Sequence, residues 1–157
     1  MIPTSTITPY ALQNSIAAAL QTSTALSTFC TGTLGTALTV YSGFDKKTPP
    51  PVTKLPWVAV ALDNIDVDES YNALIYSYFI GASCQIANTQ NTTAGYVAMA
   101  GVGNAYTFGT MLQQIVADAL TANSGGWDLM RISSVEFDID FPFVNIFFGV
   151  SAVVKES

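Results

Sequence analysis

The chain has 157 residues, half of them hydrophobic, with 11 acidic and five basic side chains, no histidine and a net charge of -6. That length fits one domain with a sizeable core, and its mean hydropathy of +0.39 comes without a membrane-length unbroken apolar run. So few cations exclude a nucleic-acid footprint and disfavour an anionic membrane surface, while the missing imidazole removes every Ser–His or Cys–His pair.

Met1 to Pro9 has neither the basic nor the apolar stretch of a signal peptide, so the chain is expected to be made and kept in a cytoplasm until assembly. Thr8 and Pro9 form a helix start, and Leu12, Ile16 and Leu20 recur at four-residue spacing. This helix is expected to end between Thr22 and Phe29. Gly32 and Gly35 punctuate its exit, and Leu38 to Tyr41 reads as a short strand. A flexible loop over 43–56 holds Asp45, Lys46, Lys47, Lys54 and the run Pro49-Pro50-Pro51, which favours an extended backbone.

Trp57 to Leu62 resumes as a strand, and Asp63 to Ser70 reads as an acidic connection. Tyr71 to Ile86 carries the longest strand signal, with Leu74, Tyr76, Tyr78, Ile80, Ala82, Cys84 and Ile86 alternating onto one face. The uncharged stretch 87–104 reads as a long loop, of a length that is usually functional or mobile. Thr107 to Ala122 is the second predicted helix, with an apolar stripe of Phe108, Leu112, Ile115, Val116, Ala119 and Leu120, terminated by Asn123 to Gly126. Arg131 to Ile139 and Phe143 to Val154 alternate as an antiparallel hairpin closed by Asp140-Phe141-Pro142. The expected architecture is α+β: one domain over 1–157, with a mixed, mainly antiparallel sheet of about four to five strands and two helices packed on one face.

No catalytic constellation emerges, and neither an enzyme nor a cofactor is expected. Asp63, Asp66, Asp68 and Glu69 lack the spacing, the glycine and the closing glutamate of a calcium loop, so they read as a solvated turn. Glu136 and Asp138 share a strand face and have the chemistry of an acid–base pair, but the wet side of an edge hairpin explains them more simply. Gly101-Val102-Gly103 fails as a phosphate loop because Tyr106 stands where a glycine is needed and no Lys-Ser/Thr pair follows. Cys30 and Cys84 have no neighbouring cation to activate a thiol. Two buried reduced thiols are the simpler expectation, with a single bridge left open. Trp57 and Trp127 read as core or rim aromatics.

The placement of charge is more informative than its total. Residues 1–44 and 70–117 carry none, and the acids gather at Asp63, Asp66, Asp68 and Glu69 and again at Glu136, Asp138 and Asp140. A monomeric domain intersperses both signs over its surface. Long neutral Thr/Ser/Ala-rich faces therefore point to contact with other subunits.

The order of elements resembles the tail terminator and tail-completion (head–tail joining) proteins of long-tailed bacteriophages. An amphipathic helix comes first, then a strand, a loop and a strand entered through Leu55-Pro56-Trp57-Val58-Ala59-Val60, a long strand, a second helix and a terminal pair within Trp127 to Val154. The neutral first helix and the length of 88–104 depart from that pattern. The resemblance implies a structural virion protein at the head–tail interface: a homo-oligomeric ring, commonly a hexamer, that caps the tail tube protein and meets the head–tail connector protein. It implies no sequence-specific nucleic acid and no membrane. A ring needs one patch to meet a different patch on the next subunit. Lys46, Lys47 and Lys54 are expected to face either Asp63, Asp66, Asp68 and Glu69 or Glu136, Asp138 and Asp140 of a neighbour, setting register more than affinity. An acidic lumen would also keep passing DNA from adhering.

Three other functions compete. Another head–tail joining or tube component predicts a ring or stack with a different partner. A small-molecule binding module predicts a pocket lined by Tyr76, Tyr78 and Phe79. An enzyme working through Glu136 or Asp138 has no evident substrate.

Overall fold

Helix α1 (Pro9–Thr22) starts at Thr8, whose Oγ1 accepts from the Ala11 N–H at 3.0 Å, with Pro9 in the first turn where no N–H is needed. Ser23 leaves that helix in an extended conformation and caps another, α2 (Thr24–Phe29), accepting from the Leu26 N–H at 3.3 Å. One serine therefore divides what the periodicity reads as a single helix. A π-helical turn at Cys30–Leu34 ends on Gly35 in the left-handed region. The remaining elements are β1 (Thr39–Ser42), a 3-10 turn at Val52–Lys54, β2 (Trp57–Asp68), β3 (Ala73–Gln85), β4 (Gln90–Thr93), β5 (Tyr96–Met99), α3 (Ala100–Thr121), β6 (Trp127–Ile132), β7 (Glu136–Asp140) and β8 (Phe143–Lys155). This computed structural model describes residues 7–44, 50–70, 72–87, 90–121 and 126–155.

The architecture is α+β with a mixed sheet of six strands in the order β1-β2-β3-β8, β6 and β7 both pairing along the far side of β8. Among the described strands only β1 and β2 pair in parallel. The sheet's six strands exceed the four to five expected, three α-helices are described where two were expected, and β4–β5 forms a separate hairpin. Asp63 to Asp68, expected as a connection, continues β2 as far as the pair Asp68↔Ala73. Carboxylates do not end a strand whose edge faces water; they protect it. Within 87–104, expected as a loop, Ala94 and Gly95 both have positive φ and join β4 to β5 in the tight primed turn that suits a twisted hairpin. Helix α3 starts seven residues before the expected Thr107. Gly101 permits this, because a Cβ there would lie 2.5 Å from the Ala87 carbonyl oxygen.

The expected strand 131–139 divides in two. Ser133 crosses between β6 and β7, its N–H donating to the Gly149 carbonyl at 2.8 Å and its Oγ accepting from the Gly149 N–H at 2.7 Å. Gln113 on α3 holds the crossing by donating to the Ser133 carbonyl at 2.7 Å. Within 43–56, residues 45–49 lie outside the described residues; on either side of them, Phe44 stacks on Trp57 at 5.9 Å. The expected helix terminator also falls mostly outside, since 122–125 are not described.

The core lies between one face of the sheet and helices α1 and α3. Leu12, Ile16 and Leu20 meet Phe108, Leu112, Val116 and Leu120 over Tyr76, Tyr78, Ile80, Ile146 and Phe148, all buried. Fully burying each such side chain contributes about 1.5–3 kcal/mol. The phenol hydroxyls of Tyr76 and Tyr78 donate to the Ile7 and Pro9 carbonyls, each at 2.7 Å, and so tie the start of α1 to the sheet.

Strand β7 is held by one insertion: Phe137 lies against Gly109 of α3 and meets Tyr106 edge-on at 4.9 Å. A Cβ on Gly109 would come 2.8 Å from the Phe137 ring and 3.2 Å from Ile146. Gly109→Val should therefore cost roughly 1–3 kcal/mol, a fall in melting temperature of about 3–10 °C. Faster amide exchange over 136–140 should accompany it. An unchanged melting curve would show that β7 is not anchored through this contact.

Candidate interaction surfaces

Cross-strand register places the expected site residues on two rims of one sheet. On the first rim, β1 accompanies β2 only as far as Ser42↔Val60, and the Gly43 N–H donates to the Val60 carbonyl at 2.7 Å. The side chain of Gln13 then stands in for the missing strand. Its Oε1 accepts from the Leu62 N–H at 3.0 Å while its Nε2 donates to Ser42 Oγ at 3.2 Å. Beyond Leu62, among the described residues, no strand lies beside the outer edge of β2. A bulge at Asp63 shifts the register there. This rim carries Asp63, Asp66 and Asp68, with Glu69 in the following turn, together with exposed Leu62, Ile65 and Val67. Lys54 and exposed Val52 stand at its lower end, just before β2. Lys46 and Lys47 lie outside the described residues.

The second rim is formed by β6 and β7. It carries Glu136, Asp138 and Asp140, the cation Arg131, and exposed Met130, Ile139 and, in the turn to β8, Phe141. Two rows fix the levels. Trp57, Ser83, Asn145 and Asp138 form one row across the sheet; Asn64, Ser77, Ser151 and Arg131 form another. With strands about 4.8 Å apart, β2 and β7 are separated by roughly 14 Å. The acidic groups thus occupy diagonally opposite corners and are not brought together.

Sequence reasoning missed the apolar residues of both rims and the exposed cation Arg131. The signal was present in Asp63-Asn64-Ile65-Asp66-Val67-Asp68, where acid and β-branched residues alternate with a strand's period. The hairpin β4–β5 is a further surface, uncharged, which exposes Tyr96, Val97 and Met99.

Other chemistry is sparse. Among the described residues no group of three or more Cys, Asp and Glu side chains is placed to hold a metal ion. Tyr76 and Tyr78 are buried on the helix side of the sheet while Phe79 faces the other side, packed on Phe147 at 5.9 Å. The three aromatics therefore share no pocket, contrary to what a binding module required. A cleft of about 260 Å³ beside Thr33, Gln85 and Asn104 is smaller than the usual ligand site of about 300–1,000 Å³, and a roomier hollow of about 440 Å³ lies open along α3 beside Tyr106 and Met111. No helix among the described residues is long and apolar enough to cross a membrane.

Cys30 and Cys84 are both free and buried. Burial pushes the Cys30 thiol from its ordinary 9.0 to about 11. Burial, with Cys30 adding to it, pushes Cys84 up to about 12. Burial likewise raises the Tyr78 phenol, with Tyr76 contributing.

No protein-family model matches the chain, and neither does any curated protein. Among solved structures, the fold is similar to that of a chain in a structure titled "Virion of native gene transfer agent (GTA) particle". The TM-score is 0.50 and the identity 17%, over 91% of this chain and 93% of that one. At that identity the likeness is one of fold.

Both thiols should resist a thiol reagent at neutral pH in the folded protein and react on unfolding. An unfolded chain ionises them near 9.0, whereas the folded chain keeps its protons to about 11 and about 12. In that window the unfolded state binds fewer protons, so stability falls as pH rises. Melting curves from pH 8 to 11 should show this loss setting in above about pH 9, and Cys30→Ala with Cys84→Ala should flatten it. Rapid labelling of the native protein would contradict the assignment.

Proposed function

We propose that this chain is a structural virion protein, not an enzyme. Its copies form a ring that caps a phage tail tube and joins it to the head connector. The observation that carries this proposal is the likeness of fold, end to end, to a chain of a virion particle. Three features of the molecule support it. The neutral stretches 1–44 and 70–117 leave long surfaces without the charge that keeps a monomer apart from its neighbours. Large apolar side chains stay exposed on both sheet rims and on the hairpin β4–β5. Three buried titratable groups, Cys30, Cys84 and Tyr78, are pushed toward inert neutral forms.

The partners in this proposal are further copies of the chain, a tube protein on one side of the ring and a connector protein on the other. A different neck or tube component of the same virion is the second reading, and the same likeness of fold favours it. Negative-stain electron microscopy of the purified protein separates these from a solitary binding module. Closed rings of one diameter with a central opening are the expected images. Helical stacks would favour a tube component. Isolated particles of monomer size at every concentration would contradict assembly.

A further inference from the structure

We propose that the two sheet rims are the two halves of one contact. The β6–β7 rim of one copy docks on the β1–β2 rim of the next, both copies pointing the same way along their strands. The inference rests on the ring proposal and specifies its interface.

A two-fold contact centred on Asp66 would set Asp63, Asp66 and Asp68 against their own equivalents, and one centred on Asp138 would do the same with Glu136, Asp138 and Asp140. Like charges opposed across strands are destabilising. Unlike rims match level by level. At the upper level, the row ending on Arg131 begins at Asn64, beside Asp63 in the bulge and two residues from Asp66. Exposed Met130, next to Arg131, then meets exposed Ile65. At the lower level, Asp140 shares a row with Phe143 and Gln85, and Leu55 lies beside Gln85 along one cleft. That puts Lys54, just before β2, toward the end of the sheet where Asp140 lies, with exposed Val52 on the first rim and exposed Ile139 and Phe141 on the second.

Lys54 and Arg131 are both exposed. The row from Asp66 ends on Asp128, the one like-charged match, but Asp128 is engaged within its own chain. The exposed apolar residues supply attraction, and the charges set register and direction. A contact between unlike patches propagates around a closed ring, or along a filament if the rotation does not close.

Complementation between two variants tests this. One carries Asp138→Lys and Asp140→Lys; the other carries Lys54→Glu. All three side chains lie at the surface, so circular dichroism should match the parent protein. Each variant alone opposes like charges at the lower level, and sedimentation velocity should show association weakened on the order of tenfold or more. In an equimolar mixture every lower contact regains opposite charges, and association should return toward the parent level. Variants that assemble as the parent does, or a mixture that stays dissociated, would overturn the rim contact while leaving a ring intact. A parent protein that never associates would overturn both.

Discussion

Everything in this molecule is positioned by the antiparallel pairing of β3 with β8. Its register runs unbroken from Ala73↔Lys155 to Gln85↔Phe143, thirteen residues on each strand. One face of this pair, from Tyr76 to Cys84 and from Val144 to Val154, is closed by α1 and α3. With side chains alternating between faces, a one-residue slip would turn both buried rows toward water. That penalty fixes the register, and the register fixes which residues emerge at each level of each rim. The candidate interface is therefore a consequence of the core.

The outer strands are attached to this pair by local devices. The first rim is completed by Gln13, a buried side chain that bonds the edge of β2 where β1 stops. The second is held by Phe137 against Gly109 and by Ser133 between Gln113 and Gly149. Both rims then expose backbone edges guarded by carboxylates, which prevents indiscriminate strand pairing. A protein that assembles through edges needs that restraint, because a neutral apolar edge would pair with anything. Charges placed diagonally give the two rims opposite patterns along the strands.

The core was legible in the sequence because it is periodic. The alternation of Tyr76, Tyr78, Ile80, Ala82 and Cys84 named the buried face of β3 correctly, and Leu12, Ile16 and Leu20 named that of α1. What failed were boundaries set by single residues or by distant contacts. Ser23 looks like any helix residue until its side chain turns back to cap α2. Gly101 and Gly103 read as loop residues, yet α3 runs through both. The carboxylates from Asp63 to Asp68 mask a strand, because in sequence such polarity reads as a connection, whereas here it marks an edge. The rims escaped notice for the same reason: a rim is defined by which strands lie beside it, and only tertiary pairing shows that. The position of Lys54 relative to Asp140 depends on three successive registers, none of them local.

The central claim is that assembly covers the two rims and leaves the rest of the surface as it is. Hydrogen–deuterium exchange, followed residue by residue in dilute and in concentrated protein, tests it most directly. The unpaired edge amides of β2 beyond Leu62 and those of β6 and β7 should gain protection together as concentration rises, while those of β3 and β8 stay equally protected throughout. Protection that rises on one rim alone, or only on the outer faces of the helices, would contradict the account.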